Sequence, residues 1–326
     1  MGKSREYLPK TLEIMKVSLI TTVLNEENSI KSFIDSVLSQ TRLPDELVIV
    51  DGGSTDGTVS SIKYLVSSIK QINVRIIVKR GNRSVGRNTA IKSSTGDIIA
   101  VSDVGCILDN NWLKNLVLPF KDKSTDVVAG YYKGRGTTVF QKCVVPYALV
   151  MFDKVNPSSF LPATRSMAFR KSIWKKAGNF NEKLSHNEDY VFAKMLKKID
   201  AHIFFEKSAV VYWIPRRNIA EFYTMNRRFA YGDAEAGIYR SKALFIIARY
   251  MLGILFLVFI LLTRHYSLFT ILYFLLFFYL LWSILKNYKY VKHPKAFLYL
   301  PLLQITSDIA VISGMTIGFL RRLMGK

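Results

Sequence analysis

Cysteine is almost absent from this 326-residue chain, with only Cys106 and Cys143. A disulfide framework is therefore excluded, and both thiols read as small packing residues rather than nucleophiles. Acidic residues are also scarce, 24 against 46 Lys and Arg, for a net charge of +22. A charge of that sign usually marks a polyanionic partner or an anionic surface. Half of the residues are apolar, however, with 21 Phe and 17 Tyr. That excludes a disordered basic tail, and nucleic acid is not expected as a partner. No internal repeat and no low-complexity linker is visible. The shortage of acid is most extreme after residue 242, where Asp308 is the single carboxylate.

What that region has is long apolar runs. Phe245–Leu262 is interrupted by Arg249 and Gly253, Tyr266–Leu285 carries no charge, and Phe297–Leu320 holds Pro301, Gln304 and Asp308. A helix needs about 20 largely apolar residues to cross a bilayer. The first two runs, joined by Thr263-Arg264-His265, read as a transmembrane hairpin. A central Asp costs about 2.5–3.5 kcal/mol on insertion scales, so the third reads as either spanning or re-entrant. The lysines of Lys286–Lys295 place that loop and the N-terminal domain on the cytoplasmic face of the cell membrane. The tail Arg321-Arg322 is basic too, and a third crossing would put it on the wrong side. Residues 1–16 carry Lys3, Arg5, Lys10 and Lys16 without an apolar core, so no signal peptide is expected. In 214–242, Ile219, Phe222, Tyr223, Asn226, Phe229 and Ala230 recur at helical spacing among Arg216, Arg217, Arg227, Arg228, Arg240 and Lys242. This predicts an amphipathic helix at the membrane surface, with its cations near lipid headgroups. The expected division is a cytoplasmic domain over 1–213, the interfacial segment 214–242, and a membrane domain over 243–326 with two or three transmembrane helices (about 245–262, 266–285 and 297–320).

Residues before 214 alternate between strand and helix. Val17–Val23, Glu46–Val50, Val74–Val78 and Ile98–Ser102 read as strands. Ser29–Gln40, Thr58–Lys70, Val85–Ser94 and Trp112–Phe120 read as helices. Such alternation predicts an α/β fold whose parallel sheet is covered on both faces. Ligands of these folds lie at the carboxyl ends of the strands. Three polar turns fall there: Asn25-Glu26-Glu27, Asp51–Asp56 and Asp103-Val104-Gly105. None runs into Gly-Lys-Ser/Thr or matches G-x-G-x-x-G, so neither a P-loop nor a dinucleotide turn is present at these ends. Their acids suit acceptors for a base and ribose, plus one metal-binding carboxylate. Arg80, Arg83 and Arg87 follow the third strand, and guanidinium forks match phosphate geometry.

The order Thr22-Val-Leu-Asn-Glu26, Val50-Asp-Gly-Gly-Ser-Thr-Asp-Gly57, Gly86-Arg-Asn-Thr-Ala90, Ser102-Asp-Val-Gly-Cys106 and Asn187-Glu-Asp189 resembles the inverting family 2 glycosyltransferases over roughly residues 16–240. The resemblance implies the GT-A fold, a Rossmann-like and mostly parallel nucleotide-sugar-binding domain, here followed by C-terminal transmembrane helices. It implies donor contacts from Val23, Asn25, Glu26, Asp51, Ser54, Asp56, Arg87, Asn88 and Asp103, to which Arg83 is added for its guanidinium chemistry. Asp189, with Glu188 beside it, matches the catalytic pair, and Arg165 and Ser166 match the acceptor side. Asp103 matches the first carboxylate of the family's metal motif. The second is replaced by Gly105, so a divalent cation (Mg or Mn) would be held mainly by substrate oxygens.

The expected function is transfer of a sugar, with inversion, from a nucleotide-diphosphate sugar to a hydroxyl of a lipid-linked or membrane-proximal glycan, as in cell-envelope glycan biosynthesis. An inverting displacement needs one carboxylate to take the proton of the attacking hydroxyl, which is the role read for Asp189. The alternatives are a polyprenyl-phosphate sugar synthase, whose acceptor needs no base, and a non-catalytic membrane scaffold with a degenerate donor domain. Membrane lipid is an expected partner throughout.

Overall fold

The computed structural model describes residues 15–324. Lys3, Arg5 and Lys10, on which the reading of the N-terminus rested, lie outside the described residues, as does Lys326. The chain forms two compact units. One comprises 15–133 with Asp153–Trp213, and the other Gly134–Phe152 with 214–324.

The first unit is built on an eight-stranded sheet. Its strands are β1 (Val17–Val23), β2 (Glu46–Asp51), β3 (Asn73–Val78), β4 (Ile98–Val101), β5 (Cys106–Leu108), β6 (Val127–Gly134), β7 (Met167–Arg170) and β8 (Ile203–Trp213). They lie in the order β3-β2-β1-β4-β7-β6-β8-β5. The strands read from sequence, β1 to β4, are mutually parallel. The rest departs from the mostly parallel expectation, because β7 runs antiparallel to β4 and β6, and β5 to β8. Every residue of β1 but Thr22 is buried, as suits a strand covered on both faces. The helices α1 (Ile30–Leu38), α2 (Thr58–Val66), α3 (Arg83–Ser93) and α4 (Trp112–Val117) fall close to their expected positions. Asn82 starts α3 early by accepting the Val85 N–H at 3.0 Å, so Arg83 and Arg87 share a face one turn apart. The core closes around Ile20, Val48, Val50, Phe169 and Phe192.

The second unit begins inside the region assigned to the first. A single boundary after residue 213 is therefore incomplete. The chain leaves the sheet at Gly134, forms α5 (Val139–Ala148) and returns at Asp153. Thr138 and Gln141 cap α5 reciprocally. Phe140 packs edge-on against Tyr299, Tyr147 packs against Phe222, and the Tyr147 hydroxyl donates to Leu300 O at 2.7 Å. Two short helices of the first unit, α6 (Lys171–Lys176) and α7 (Glu188–Lys198), precede the rest. The second unit then continues as α8 (Ile219–Glu235), α9 (Ser241–Thr263), α10 (Phe269–Val291) and α11 (Ala296–Leu323). The last three are each long and apolar enough to cross a membrane.

Asp308 does not break α11. Its carboxylate accepts from Arg249 Nη2 at 2.8 Å, Tyr250 Oη at 3.1 Å, Tyr279 Oη and Gln304 Nε2 at 3.0 Å. The two charges that interrupt separate apolar runs thus neutralise one another.

The buried face of α8 also differs from its expected lipid-facing role. Phe222, Met225, Ala230 and Ala234 turn inward, while Ile219 and Phe229 are exposed. Gly314 and Gly318, four apart, let α11 approach α8 closely. A Cβ at Gly314 would lie 2.3 Å from Arg227 O, and one at Gly318 2.6 Å from Tyr231 O. Gly314→Ala is accordingly expected to destabilise the unit by about 1–3 kcal/mol, the usual cost of overpacking, seen as a lowered melting temperature in detergent.

Candidate active site

The turns after β1 and β2 are laced together. Ser54 Oγ accepts the Asn25 N–H at 2.8 Å, Asn25 Oδ1 accepts the Thr55 N–H at 2.9 Å, and Thr58 Oγ1 accepts the Glu26 N–H at 2.8 Å. Asn25 takes the left-handed conformation (φ 55°), which Asn tolerates better than most residues. Val23 closes the adjoining ladder opposite Asp51, and its carbonyl accepts the Gly52 N–H at 2.8 Å. Asp51 is 1 % exposed. Its oxygens accept from Gly53 N at 2.9 Å, Ser54 N at 3.0 Å and Ser54 Oγ at 2.5 Å. It therefore shapes the turn first, and Gly53 (φ 102°) supplies the positive φ the turn needs. Asp56 accepts from both the N–H and hydroxyl of Thr58, which hold its carboxyl below the usual range.

Arg87 lies at the centre of the site, 2 % exposed. One nitrogen reaches Asp103 Oδ1 at 2.9 Å and the other pairs with Glu188. It bridges the ends of β4 and α7, so two carboxylates engage the guanidinium that the sequence marks as a donor contact. Arg83 is exposed at the start of α3, and its charge acts on Asp103.

The carboxylates diverge electrostatically. Burial opposes the charged form of Asp103, but Arg87, Arg83 and Arg165 outweigh it and hold the carboxyl below its ordinary range. Burial, and then the adjacent Glu188, push Asp189 above its ordinary range, with Arg87 acting in the opposite direction. Carboxyls driven apart in this way suit different roles, one a permanent anion and one a proton acceptor. Asp189 Oδ1 accepts the Tyr190 N–H at 2.8 Å, and its other oxygen faces Thr164 Oγ1 at 3.5 Å. A left-handed Asn187 (φ 57°) turns the chain so that both acids open α7.

Arg165 belongs to the same cluster. The β4/β7 register pairs Val101 with Met167. Continued by two positions, it brings Asp103 opposite Arg165, and Ser102 Oγ donates to Arg165 O at 2.8 Å. The guanidinium is held between the rings of Tyr132 and Trp213, 5.6 and 5.5 Å from their centroids. Tyr132 comes from β6 and Trp213 from the end of β8. No sequence motif announced Tyr132, because only the sheet order brings it there.

Two expected contacts are placed elsewhere. Asn88 donates to Phe180 O and Glu182 Oε1 and accepts from Phe180 N and Trp174 Nε1. All four of its hydrogen-bonding positions are spent inside the protein, so it ties α3 to the 174–182 segment rather than facing a donor. Ser166 is fully buried, accepting from Trp112 Nε1 at 2.9 Å and donating to Ala209 O at 3.1 Å. It is a sheet contact rather than an acceptor contact. Both cysteines are buried, and burial pushes Cys106 to about 12 and Cys143 to about 11, in keeping with inert packing.

Among the described residues no three His, Cys, Asp or Glu side chains converge as a metal cage. A Cβ at Gly105 meets nothing within 4 Å, so space is not what excludes an acid there. Asp103 keeps the oxygen that Arg87 does not take. One protein oxygen of this kind fits a hard cation whose remaining ligands are phosphate oxygens and water.

The sheet, the laced turns and the acidic cluster form one polar site at the carboxyl ends of the parallel strands. Residues 18–176 match the model of the family Glycosyl transferase family 2, and this domain belongs to that family, with the GT-A fold. The chain is 31 % identical over 116 residues to glycosyltransferase AglE of Haloferax volcanii, covering 35 % of this chain and 38 % of the relative. It is 28 % identical over 198 residues to the O-antigen chain rhamnosyltransferase RfbN of Salmonella typhimurium, covering 56 % and 62 %. It is 28 % identical over 167 residues to the poly(ribitol-phosphate) β-N-acetylglucosaminyltransferase TarP of Staphylococcus aureus, covering 49 % and 50 %. The matched stretch thus spans between about two-fifths and three-fifths of these relatives' own lengths. In structure it resembles mannosyltransferase PcManGT of Pyrobaculum calidifontis, solved with GDP-Man and Mn2+, with a TM-score of 0.57 at 18 % identity, covering 71 % of this chain and 66 % of that one.

Proposed function

We propose that the chain is a membrane-anchored, inverting glycosyltransferase that uses a nucleotide-diphosphate sugar and glycosylates a hydroxyl of a lipid-linked or membrane-proximal glycan. The observation that carries this reading is the divided acidic cluster. Arg87 pairs with both Asp103 and Glu188, and among the described residues Asp189 is the carboxyl raised above its ordinary range, towards a working base.

In the proposed reaction the acceptor hydroxyl oxygen attacks the anomeric carbon from the face opposite the diphosphate. The carbon–oxygen bond to the diphosphate breaks, its electron pair leaves with the phosphate, and Asp189 takes the hydroxyl proton. The laced turns of Asn25, Glu26, Asp51, Ser54 and Asp56 hold the nucleoside. Arg83 and Arg165 flank Asp103 where the diphosphate leaves, and Arg165 also borders the acceptor. A divalent cation, Mg2+ or Mn2+, would be held by Asp103 and would add positive charge at the leaving group. The relatives named for O-antigen chains and poly(ribitol-phosphate) support a polymeric envelope acceptor. Placement of the transferase domain on the cytoplasmic face follows from the lysines of Lys286–Lys295.

The test is a panel of UDP-, GDP- and dTDP-sugars incubated with the purified full chain and a divalent ion, read by nucleoside diphosphate release. Release with one donor class supports the proposal, and no turnover with any donor favours a scaffold. The pH profile offers a sharper check. Asp189 works ionised, so the rate should fall as pH drops through its raised pKa. Glu188→Gln removes the neighbouring charge that raises it, so the acid limb of the profile should move to lower pH.

A further inference from the structure

Hydropathy offers three spans, but the second unit's own geometry accommodates two. Residues 264–268 join α9 to α10, and Arg249 of α9 donates to the Tyr279 hydroxyl of α10 at 2.8 Å. The two helices therefore form an antiparallel hairpin, and their remote ends, Ser241 and Val291, point to the same side. Helix α11 starts at Ala296, just beyond the end of α10. Its far end returns to the start of α9. A Cβ on Gly237, in the turn before α9, would lie 2.3 Å from Arg322 Nη1. Two and three turns earlier, Met315 and Val311 pack in one cluster with Ala243 and Ile247.

A 28-residue helix is about 42 Å long, ample for a crossing. Yet both of its ends adjoin the open end of one hairpin, so they lie on one side of whatever the hairpin spans. Helix α8 accompanies it in the same direction, with Arg227 and Ala230 at Gly314, and Tyr231 and Ala234 at Gly318. The face of α11 opposite this contact is an exposed apolar stripe of Leu298, Leu302, Ile309 and Leu320, spaced by four, seven and eleven residues as a single helical face requires.

We infer that α11 does not cross the bilayer: with α8 it forms a platform in the plane of one leaflet, its apolar stripe towards the acyl chains and its basic ends among the headgroups. The inference rests on the reading of α9 and α10 as the membrane anchor. It removes the charge conflict found in the sequence, because Lys286–Lys295 and Arg321-Arg322 fall on the same side.

Single cysteines report the arrangement, since both native cysteines are buried. Ser267→Cys, Lys292→Cys and Met324→Cys, each at an exposed position, would be introduced into the full chain and treated with a membrane-impermeant maleimide in sealed vesicles of either orientation. The expected result is that Lys292→Cys and Met324→Cys label from one side and Ser267→Cys only from the other. Labelling of Met324→Cys together with Ser267→Cys would mean that α11 crosses, and would overturn the inference while keeping the anchor. Labelling of Ser267→Cys and Lys292→Cys from the same side would overturn the hairpin anchor itself, and the platform with it.

Discussion

Asp189→Asn is expected to lower sugar transfer by roughly 100- to 10,000-fold, the span typical of a lost general base, while nucleoside diphosphate still binds. The change keeps the size of the side chain and the acceptor oxygen that takes the Tyr190 N–H. It removes only the ability to accept a proton. Glu188 cannot substitute, because Arg87 engages it. Binding should be followed calorimetrically beside the rate, so that a misfolded variant is not mistaken for an inactive one. A transfer rate equal to wild type would remove Asp189 as base. It would point instead to an acceptor that arrives ionised, such as a polyprenyl phosphate.

Asp308→Ala carries the largest expected effect on stability. It strands Arg249, which joins α9 to Tyr279 of α10 and Asp308 of α11, and loss of one member of a buried ion pair costs about 3–5 kcal/mol. Asp308→Asn should fall between wild type and Ala, since it still accepts hydrogen bonds without the charge. Replacing the pair together, with Arg249→Met and Asp308→Leu, should recover most of the loss, because no charge is then left unpaired. Thermal unfolding in detergent, compared across the four proteins, reads this directly. A melting temperature unchanged in Asp308→Ala would show that the cluster does not hold the helices together.

The distribution of charge foreshadowed parts of this arrangement. Arg249 and Asp308 each stood out as the lone charge in an apolar run, but their 59-residue separation concealed that one compensates the other. Asp103, Glu188 and Asp189 stood out because acids at strand and helix ends are chemically suggestive. Arg87 was noticed for its guanidinium, but its pairing with Asp103 and Glu188 was not legible, because those acids lie 16 and 101 residues away in the chain. Asn88 and Ser166 lay within motif-like segments, yet their polar atoms are consumed by the fold. A polar side chain in a motif cannot disclose whether its hydrogen bonds are already spent.

The amino-acid sequence by itself determined the first four strands and their helices, the membrane-seeking character of residues after 242, and the acids at the carboxyl ends of the strands. Each of these follows from local periodicity or from residue chemistry, which operate over a turn or a strand. Tertiary structure alone decided the rest. It set the antiparallel half of the sheet that brings Tyr132 and Trp213 around Arg165. It transferred 134–152 to the second unit, and it returned α11 to the start of α9. These depend on contacts between segments far apart in the chain. Such contacts are chosen by packing, charge pairing and chain connectivity together, and no window of sequence contains all three.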